Sequence, residues 1–331
     1  MSSASVPISV VVCTRDRPES LRRCLVALCG QDYPSYEVIV VDSASQDGAT
    51  AQVVAATPFR YLRVELPGLD RARNDGAAAA SHDIIAYTDD DVVAGPGWLR
   101  HITAAFADPD VMAVTGLVLP AALETEAERL FEQYSGMGKG AAPRAFRRSS
   151  LAPRELLAAH HVGVGANMAF RRSTLAAVGG FDTALDVGTP AGGAGDLDMF
   201  HRVLAAGLTI RYEPAAAVRH YHRRDRAGLR RQIYNNGRSF GVYLIKRWRE
   251  QQIARPDVAL FAARWVGGWL IARLCARLAG RLRFPLDLVL AEIWGALSAP
   301  WAYRATYRHD RALRSAGVGR PYSGVTQKVS A

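Results

Sequence analysis

Apolar runs and amphipathic segments alternate through the first 120 residues of the chain. The apolar runs are short and rich in Val and Ile, which is typical of buried strands. They predict strands over Ile8–Cys13, Val38–Val41, Tyr61–Leu66, Ile84–Thr88 and Val111–Val118. The segments between them predict helices over Pro18–Leu28, Gln46–Ala56, Leu69–Ala80 and Trp98–Phe106. This alternation predicts βαβ units and therefore an α/β fold with a doubly wound, mostly parallel sheet.

The pattern changes after residue 120. A helix over Glu124–Tyr134 is followed by a loop-like stretch with several glycines and a basic run from Arg144 to Arg154. The next segments predict a strand over Val162–Phe170, a helix over Asp196–Ala205, a strand over Ala216–His222 and a long basic helix over Asp225–Arg249. We therefore predict one α/β domain, residues 1–245, and a Trp-rich helical extension, residues 246–331.

The extension carries the charge of the chain. From Lys246 onward, 15 Lys and Arg residues face 5 Asp and Glu residues, so this segment accounts for the whole net charge of +10. Such an excess favours an anionic partner such as lipid head groups, a charged acceptor or, with less support, nucleic acid. The alternative is an Arg-rich chain whose arginines cover solvated helix faces.

The segment from Phe261 to Tyr303 has a helical pattern. Its longest uncharged stretch, Ile293–Tyr303, is shorter than the roughly 20 residues that span a bilayer, so no transmembrane helix is expected. Three alternatives stay open for these helices: they lie in a membrane interface, cover the sheet domain, or form a contact in an oligomer.

Neither the amino terminus nor the cysteines indicate secretion. Met1 to Pro7 lacks the basic and apolar regions of a secretory signal. The cysteines match no metal-ligand spacing and form no CxxC pair; they are Cys13, Cys24, Cys29 and Cys275. We therefore expect reduced thiols and a cytoplasmic protein, either free or peripheral at the inner face of the membrane.

Polar residues follow four of the first five predicted strands. Because ligands of such sheets bind at the carboxyl ends of the strands, these residues are expected to form one crevice. They are Thr14, Arg15 and Arg17 after the first strand, Asp42 after the second, Gly68, Arg71, Arg73 and Asn74 after the third, and Asp89, Asp90 and Asp91 after the fourth.

The three adjacent aspartates are the sharpest local signal. A hard divalent cation would relieve their mutual repulsion, because Mg²⁺ and Mn²⁺ prefer oxygen ligands. Asp89 and Asp91 are therefore candidate metal ligands, and His220 or His222 could complete the shell. The alternatives are a solvated acidic turn for the aspartates and structural roles for the histidines.

Asp42 could accept hydrogen bonds from a nucleotide base or cap the next helix. The arginines could hold a diphosphate or form surface ion pairs. Asp196 follows a glycine-rich stretch, Gly192–Gly195, and could act as a general base or cap its helix.

These pieces together resemble the GT-A-fold, family 2 inverting glycosyltransferases. The resemblance covers roughly residues 7 to 222 and depends on segments that occur in the expected order. They are Val10–Arg15, Val40–Asp42, Gly68–Asn74, Asp89–Asp91, Gly165–Met168, Gly180–Asp182 and Gly195–Asp198.

The resemblance implies a role for several of these positions. Asp42 would bind the nucleotide base, Asp89 and Asp91 would hold ribose or sugar and the metal, and Asp196 would deprotonate the acceptor. Residues 1 to about 120 would form the donor half, and about 121–245 the acceptor half. Two positions depart from the family pattern: Ser43 and Ala44 follow Asp42, and Gly195 stands where many relatives carry Glu. Asp198 would then be a second candidate base.

The expected activity is transfer of a hexosyl group from a nucleotide-sugar donor, with UDP-sugar favoured, by single displacement with Mn²⁺ or Mg²⁺. The acceptor is open between a lipid-linked sugar, a glycan, a peptide and a natural product. Residues 121–160 and 188–195 are predicted to close over the donor. Two alternatives are a nucleotidyltransferase, although a glycine-rich loop after the first strand is absent, and an inactive GT-A domain whose basic tail binds a membrane or partner. A nicotinamide dehydrogenase is excluded because no GxGxxG motif is present.

Overall fold

The computed structural model of the protein describes residues 5–316. Residues 1–4 and 317–331 lie outside the described residues, and they include part of the amino-terminal segment and the end of the predicted extension. The strands are β1 (Ile8–Thr14), β2 (Tyr36–Ser43), β3 (Arg60–Val64), β4 (Ile84–Asp89), β5 (Val92–Ala94), β6 (Val111–Pro120), β7 (Arg144–Phe146), β8 (Asn167–Arg171) and β9 (Thr209–His220).

These strands form one mixed sheet in the order β3-β2-β1-β4-β8-β6-β9-β5, with β7 paired to β9. The pairs among β1, β2, β3 and β4 are parallel. β8 is antiparallel to both β4 and β6, and β6 runs parallel to β9. The predicted strand over Val162–Phe170 begins only at Asn167, because a turn precedes it in which the Asn167 amide donates to the Val164 carbonyl.

The α-helices flank this sheet and continue beyond it. They are α1 (Pro18–Cys29), α2 (Ala49–Ala55), α3 (Leu69–Ala79), α4 (Trp98–Ala105), α5 (Glu126–Tyr134), α6 (Pro153–Leu157), α7 (Arg172–Val178), α8 (Gly195–Ala205), α9 (Arg226–Glu250), α10 (Arg255–Arg264), α11 (Ala272–Leu278) and α12 (Leu286–Ser315). A π-helical segment, Trp265–Ile271, joins α10 to α11.

Both faces of the sheet are covered by apolar packing. Alternate residues of β1 lie in different clusters: Val11 and Cys13 contribute to one, and Val10 and Val12 to the other. This is the period-two alternation of a strand, and it explains why the β1 sequence is a continuous apolar run. The carboxyl ends of β1, β2 and β4 therefore meet at one edge between two packed layers.

The carboxyl-terminal helices pack closely on the domain. Small residues let α9 and α12 approach: a Cβ added at Gly237 would lie 2.2 Å from the Glu292 carbonyl oxygen, and one at Gly295 would lie 2.0 Å from the Tyr234 carbonyl oxygen. Helix α9 continues without a break past residue 245 to Glu250. The division of the chain at residue 245 therefore stays a prediction.

The extension contains one apolar helix that the uncharged stretches of the sequence did not indicate, and the expectation that no segment spans a membrane stays a prediction. The helix from Arg255 to Leu278 has 24 residues, and the mean hydropathy of its apolar window is 1.4, so it is long and apolar enough to cross a membrane. Only 11% of that window is buried against the rest of the protein. Its charged residues interrupt every long uncharged stretch in the sequence, but the helix runs through them.

Candidate active site

The predicted acidic cluster lies where β4 turns into β5. Asp89 is the last residue of β4, and Asp90 and Asp91 form the turn that precedes β5. The pairing of Val92 with His220 brings the end of β9 against this turn. As a result, one possible ligand atom from each of Asp89, Asp91 and His220 lies within 4.8 Å of the others. Two carboxylates and an imidazole form a donor set that suits Mn²⁺, and Mg²⁺ with more water ligands.

The side chains around Asp91 hold it in its charged form. Arg17 Nη1 lies 2.9 Å from Asp91 Oδ2, and His220 Nε2 lies 3.2 Å from Asp91 Oδ1. Burial alone would raise the pKa of Asp91, but His220 and Arg17 together bring the pKa below its usual range. The charged carboxylate that a cation requires is therefore favoured at neutral pH.

Asp90 differs from its two neighbours in its surroundings. Its side chain is fully buried, accepts a hydrogen bond from the Thr14 hydroxyl at 2.7 Å, and lies 3.1 Å from Arg17. Burial raises the pKa of Asp90 to about 7, although Arg17 and Thr14 oppose that shift. Thr14 and Asp90, both predicted to bind a donor, therefore contact each other and support the turn from inside.

His222, predicted as a metal ligand, lies behind His220. Its Nδ1 is 3.0 Å from His220 Nδ1, and its Nε2 is 2.8 Å from Glu132 Oε1. Both ring nitrogens thus have partners within the chain, so the geometry favours an orienting role for His222 over ligation. Metal-bound histidines commonly use their other nitrogen in this way. Glu132 carries no local signal in the sequence; it lies on α5 and is brought here only by tertiary packing.

Asp42 is buried at the end of β2. Its Oδ1 accepts from the Ser45 amide at 2.9 Å, and its Oδ2 accepts from the Tyr61 hydroxyl at 2.6 Å. Arg63 also lies 3.4 Å from Oδ2. Both carboxylate oxygens thus have hydrogen-bond partners within the chain, and the contact of Asp42 with a nucleotide base stays a prediction. Tyr61 and Arg63 are the contacts that the sequence pattern did not reveal.

The segment that begins α3 is held by a distant acid. Asp186 accepts hydrogen bonds from the backbone amides of Leu69 and Asp70, at 2.6 and 3.0 Å. A Cβ at Gly68 would lie 2.5 Å from Asp186 Oδ2, so glycine is needed for this approach. Gly68, predicted to contact the donor, therefore makes room for Asp186 at the amino terminus of the helix.

Arg73 links α3 to the acidic cluster. It is 5% exposed, and its guanidinium lies 3.1 Å from Asp70 Oδ1 and 3.4 Å from Asp89 Oδ1. Asn74, in contrast, exchanges two hydrogen bonds with the backbone of Phe181 and so has a structural contact in this structure. Arg15 is half exposed and pairs with Asp16.

A cleft of about 720 Å³ lies beside this cluster. Arg73 and Asp89 line one part of it, and Asp196 with the glycines at 192, 193 and 195 lines another. Helix α9 supplies a further wall with polar side chains such as Gln232 and Asn235. The structure thus brings Asp89 and Asp196, far apart in sequence, to one cavity.

Asp196 is fixed at the start of α8. Its Oδ2 accepts from the Gly165 amide at 2.7 Å, and its Oδ1 accepts from the Leu197 amide at 2.8 Å. Ala194, immediately before the helix, has φ of 84°, a left-handed conformation that is costly for a residue other than glycine. The backbone therefore holds the Asp196 carboxylate at the cleft with two hydrogen bonds.

Asp198, the second candidate base, lies in the core rather than in the cleft. Its side chain is 0% exposed and pairs with Lys246 at 2.7 Å, Arg247 at 2.6 Å and Arg202 at 2.7 Å. Burial would raise the pKa of Asp198, but Lys246, Arg202 and Arg247 bring it below its usual range. A carboxylate held by three cations and closed to solvent is a poor proton acceptor, so this geometry argues against a base role for Asp198.

We expect Asp198→Ala to lower the free energy of unfolding by about 3–5 kcal/mol, because it leaves buried cations without their counter-charge. Urea titration followed by circular dichroism measures this loss. The contribution is present at neutral pH and is lost as the pH falls through the unfolded value of about 3.9 towards the folded pKa. Glu19→Ala is the control: its pair with Arg22 is exposed, and we expect a loss below about 1 kcal/mol. Equal losses in the two variants would contradict the assignment.

Comparison with known proteins identifies the family of this chain. The model of the family described as "Glycosyl transferase family 2" matches residues 9–179, which is more than half of the chain. The chain belongs to glycosyl transferase family 2. A pre-mycofactocin glycosyltransferase of Mycobacterium tuberculosis is 31% identical over 65% of this chain and 43% of its own length. The chain therefore spans less than half of that curated relative.

Two solved structures share the fold of this chain. The mannosyltransferase PcManGT from Pyrobaculum calidifontis, in complex with GDP-Man and Mn²⁺, matches with a TM-score of 0.59 and 20% identity, over 90% of this chain and 88% of that one. TarS 1–349 of S. aureus, in complex with UDP-GlcNAc, matches with a TM-score of 0.55 and 14% identity, over 95% and 93%. These likenesses confirm the predicted GT-A fold with its carboxyl-terminal helices.

Proposed function

We propose that this family 2 member is an inverting glycosyltransferase that moves a sugar from a nucleotide-diphosphate donor to a nucleophile of an acceptor. The observation that carries the proposal is that Asp89 of the acidic cluster and Asp196 line one cleft. A donor held by its diphosphate at the first group would present its anomeric carbon to an acceptor beside the second. UDP-sugar is the favoured donor, and the GDP-Man and UDP-GlcNAc complexes of the structural neighbours are consistent with this class.

The residues present fit a divalent cation. Asp89, Asp91 and His220 would hold it, with His222 and Glu132 orienting the imidazole. A bound Mn²⁺ or Mg²⁺ would neutralise the charge that develops on the departing diphosphate. Arg17 and Arg73 border the same acids, so guanidinium donors would be near the phosphates as well.

Asp196 is the proposed base. Its carboxylate removes the proton from the acceptor nucleophile while that nucleophile attacks the anomeric carbon on the face opposite the phosphate. One bond to the sugar forms as the bond to the phosphate oxygen breaks, so the anomeric configuration inverts. The backbone amides of Gly165 and Leu197 fix the carboxylate without removing its access to the cleft.

The proposal also covers where the protein is located and which class of acceptor it uses. We infer that residues 1–245 act as the transferase domain and that the basic extension from residue 246 holds it at the inner face of a membrane. The exposure of the apolar helix Arg255–Leu278 supports this location. Phe240 of α9 lines the cleft and packs against Trp265 of the apolar segment, so the cleft adjoins the extension. A lipid-linked acceptor would suit that arrangement.

The test is a donor panel. The protein is incubated with UDP-, GDP- and dTDP-sugars and Mn²⁺, Mg²⁺ or EDTA, and release of nucleoside diphosphate is followed with and without candidate acceptors. We expect cation-dependent release from one donor, and a product whose anomeric configuration, read by NMR coupling constants, is opposite to that of the donor. Retention of configuration would overturn the inverting mechanism, and no binding of any donor with any cation would overturn the transferase proposal.

A further inference from the structure

One face of α12 is a continuous exposed stripe. Its members recur at intervals of three and four residues, so they share one side of the helix. From the start of the helix they are Leu290, Trp294, Leu297, Trp301, Arg304, Arg308 and Arg311, all exposed. The first part of the stripe is apolar and the second part is basic. We call it the α12 stripe.

The apolar part exposes two large aromatic side chains. Trp294 is 63% exposed and Trp301 is 69% exposed, and Leu297 between them is 56% exposed. The opposite side of the same helix packs on α9, where Glu292, Gly295 and Ala299 are buried. The exposure therefore does not come from a loose helix, because α12 is fixed along its other face.

The basic part borders a cavity of about 540 Å³ that has no acidic lining residue. Its lining residues are Arg249, Tyr303, Arg304, Tyr307, Arg308 and Arg311. Within the described residues, none of the four guanidinium groups forms an ion pair with a carboxylate. Residues 317–331 contain no Asp or Glu side chain that could supply one. Four positive charges thus surround one cavity, and no carboxylate of residues 5–316 lies within ion-pair distance of them.

We propose that the α12 stripe docks on an anionic lipid bilayer, with Trp294, Leu297 and Trp301 in the interface and a lipid phosphate in the arginine cavity. This deepens the proposed membrane location and does not depend on sugar transfer. Tryptophan is enriched at the level of lipid head groups, because its ring is apolar and its N–H is polar. Basic clusters next to such side chains attract anionic head groups.

The geometry of the stripe suits a helix that lies flat. From Trp294 to Arg311 the stripe extends about 25 Å along the helix axis at 1.5 Å per residue, so both parts can touch one plane. Because the inner face of α12 is packed on α9, the helix cannot turn or insert further without unfolding that contact. A protein partner would gain the apolar contacts too, but four arginines at one cavity, none with an ion pair to a described carboxylate, favour a surface rich in phosphate.

The full chain is tested by co-sedimentation with vesicles of phosphatidylcholine alone and of phosphatidylcholine with phosphatidylglycerol, without donor. We expect binding to the anionic vesicles that weakens as salt is raised. The triple variant R304Q/R308Q/R311Q should lose about tenfold or more in affinity. The matched control R22Q/R147Q/R230Q removes the same charge from exposed sites elsewhere, and we expect it to bind nearly as wild type.

Tryptophan fluorescence tests the apolar part of the α12 stripe separately. Brominated lipid should quench the fluorescence of the wild type, and W294S/W301S should lose most of that quenching; circular dichroism confirms that both variants are folded. Equal binding by the arginine triple variant and the wild type would overturn the proposal. So would light scattering that shows a wild-type dimer dissociated by W294S/W301S without a change in vesicle binding, because the stripe would then be a contact between copies. Failure of sugar transfer in these assays has no bearing on the outcome.

Discussion

Replacing Asp91 by Asn is expected to lower kcat/KM for donor turnover by about 10²-fold, equivalent to roughly 3 kcal/mol of transition-state stabilisation. Asn keeps the size of the side chain but removes the charge that Arg17 and His220 hold in place. A cation bound by Asp89, Asp91 and His220 would lose one of two anionic ligands. Kinetics across a Mn²⁺ titration, together with direct Mn²⁺ binding measured by electron paramagnetic resonance, test the expectation.

The control for this variant is Asp110→Asn, which removes the same charge from an exposed side chain just before β6. It should leave both Mn²⁺ affinity and kcat/KM unchanged. If a folded Asp91→Asn protein binds Mn²⁺ as tightly as wild type, Asp91 is not a metal ligand. Loss of turnover with normal Mn²⁺ binding would instead indicate a role in holding Arg17.

The sheet edge could be predicted because its signals are local. Buried parallel strands are short Val- and Ile-rich runs, and polar residues at the carboxyl ends of β1, β2 and β4 must share one edge once these strands are parallel neighbours. The acids at the end of β4 were therefore predicted together with Thr14 and Asp42. The pairing of β5 with β9, which brings His220 to Asp91, connects segments more than 120 residues apart, and no local pattern specifies it.

Several roles within that edge depended on long-range contacts. Asp186 reaches the amino terminus of α3 from a sequence separation of 117 residues, so Gly68 could not be recognised as the residue that makes room for it. Asp42 was correctly predicted at the end of a buried strand, but Tyr61, which shares its carboxylate, lies on the neighbouring strand β3. The burial of Asp42 and the identity of its hydrogen-bond partner depend on how the strands pack in the sheet, which the local sequence does not specify.

Helix geometry shows that Asp196 and Asp198 cannot both line the cleft, but it does not identify which of them does. Two residues apart on an α-helix correspond to a rotation of about 200°, so both carboxylates cannot face one cleft. The sequence alone does not say which one does. Lys246 and Arg247, near the carboxyl-terminal end of the long basic helix α9, decide it by pairing with Asp198 in the core.

The extension was predicted as helical and basic, yet its hydropathy was misjudged. Counting uncharged residues gave the short segment Ile293–Tyr303, whereas the helix Arg255–Leu278 continues through Arg264 and Arg273. Arg273 stacks on Trp269 and Tyr134, so its charge is accommodated against aromatic rings. A single charged residue therefore need not end an apolar helix.

The second large effect concerns proton transfer. In the proposed mechanism Asp196 accepts the acceptor proton, and Asn at this position cannot do so, although it can still accept a backbone hydrogen bond through Oδ1. General-base catalysis commonly contributes about 10²- to 10⁴-fold, so Asp196→Asn is expected to lower kcat by that range. Because Asp196 is separate from the acidic cluster, KM for the donor and the Mn²⁺ dependence should change little.

Asp225→Asn is the matched control for the base, because Asp225 also lines the cleft but caps α9 through the Gly228 amide. Asparagine is an equally good cap, so this variant should keep its stability and most of its kcat. Steady-state kinetics with a saturating acceptor compare the two variants at one pH. A large loss in Asp196→Asn alone supports proton removal at Asp196. If kcat is unchanged in Asp196→Asn, the base must lie elsewhere in the cleft. Equal losses of kcat in both variants would mean that losing any negative charge from this cavity lowers kcat, so the loss would not identify Asp196 as the base.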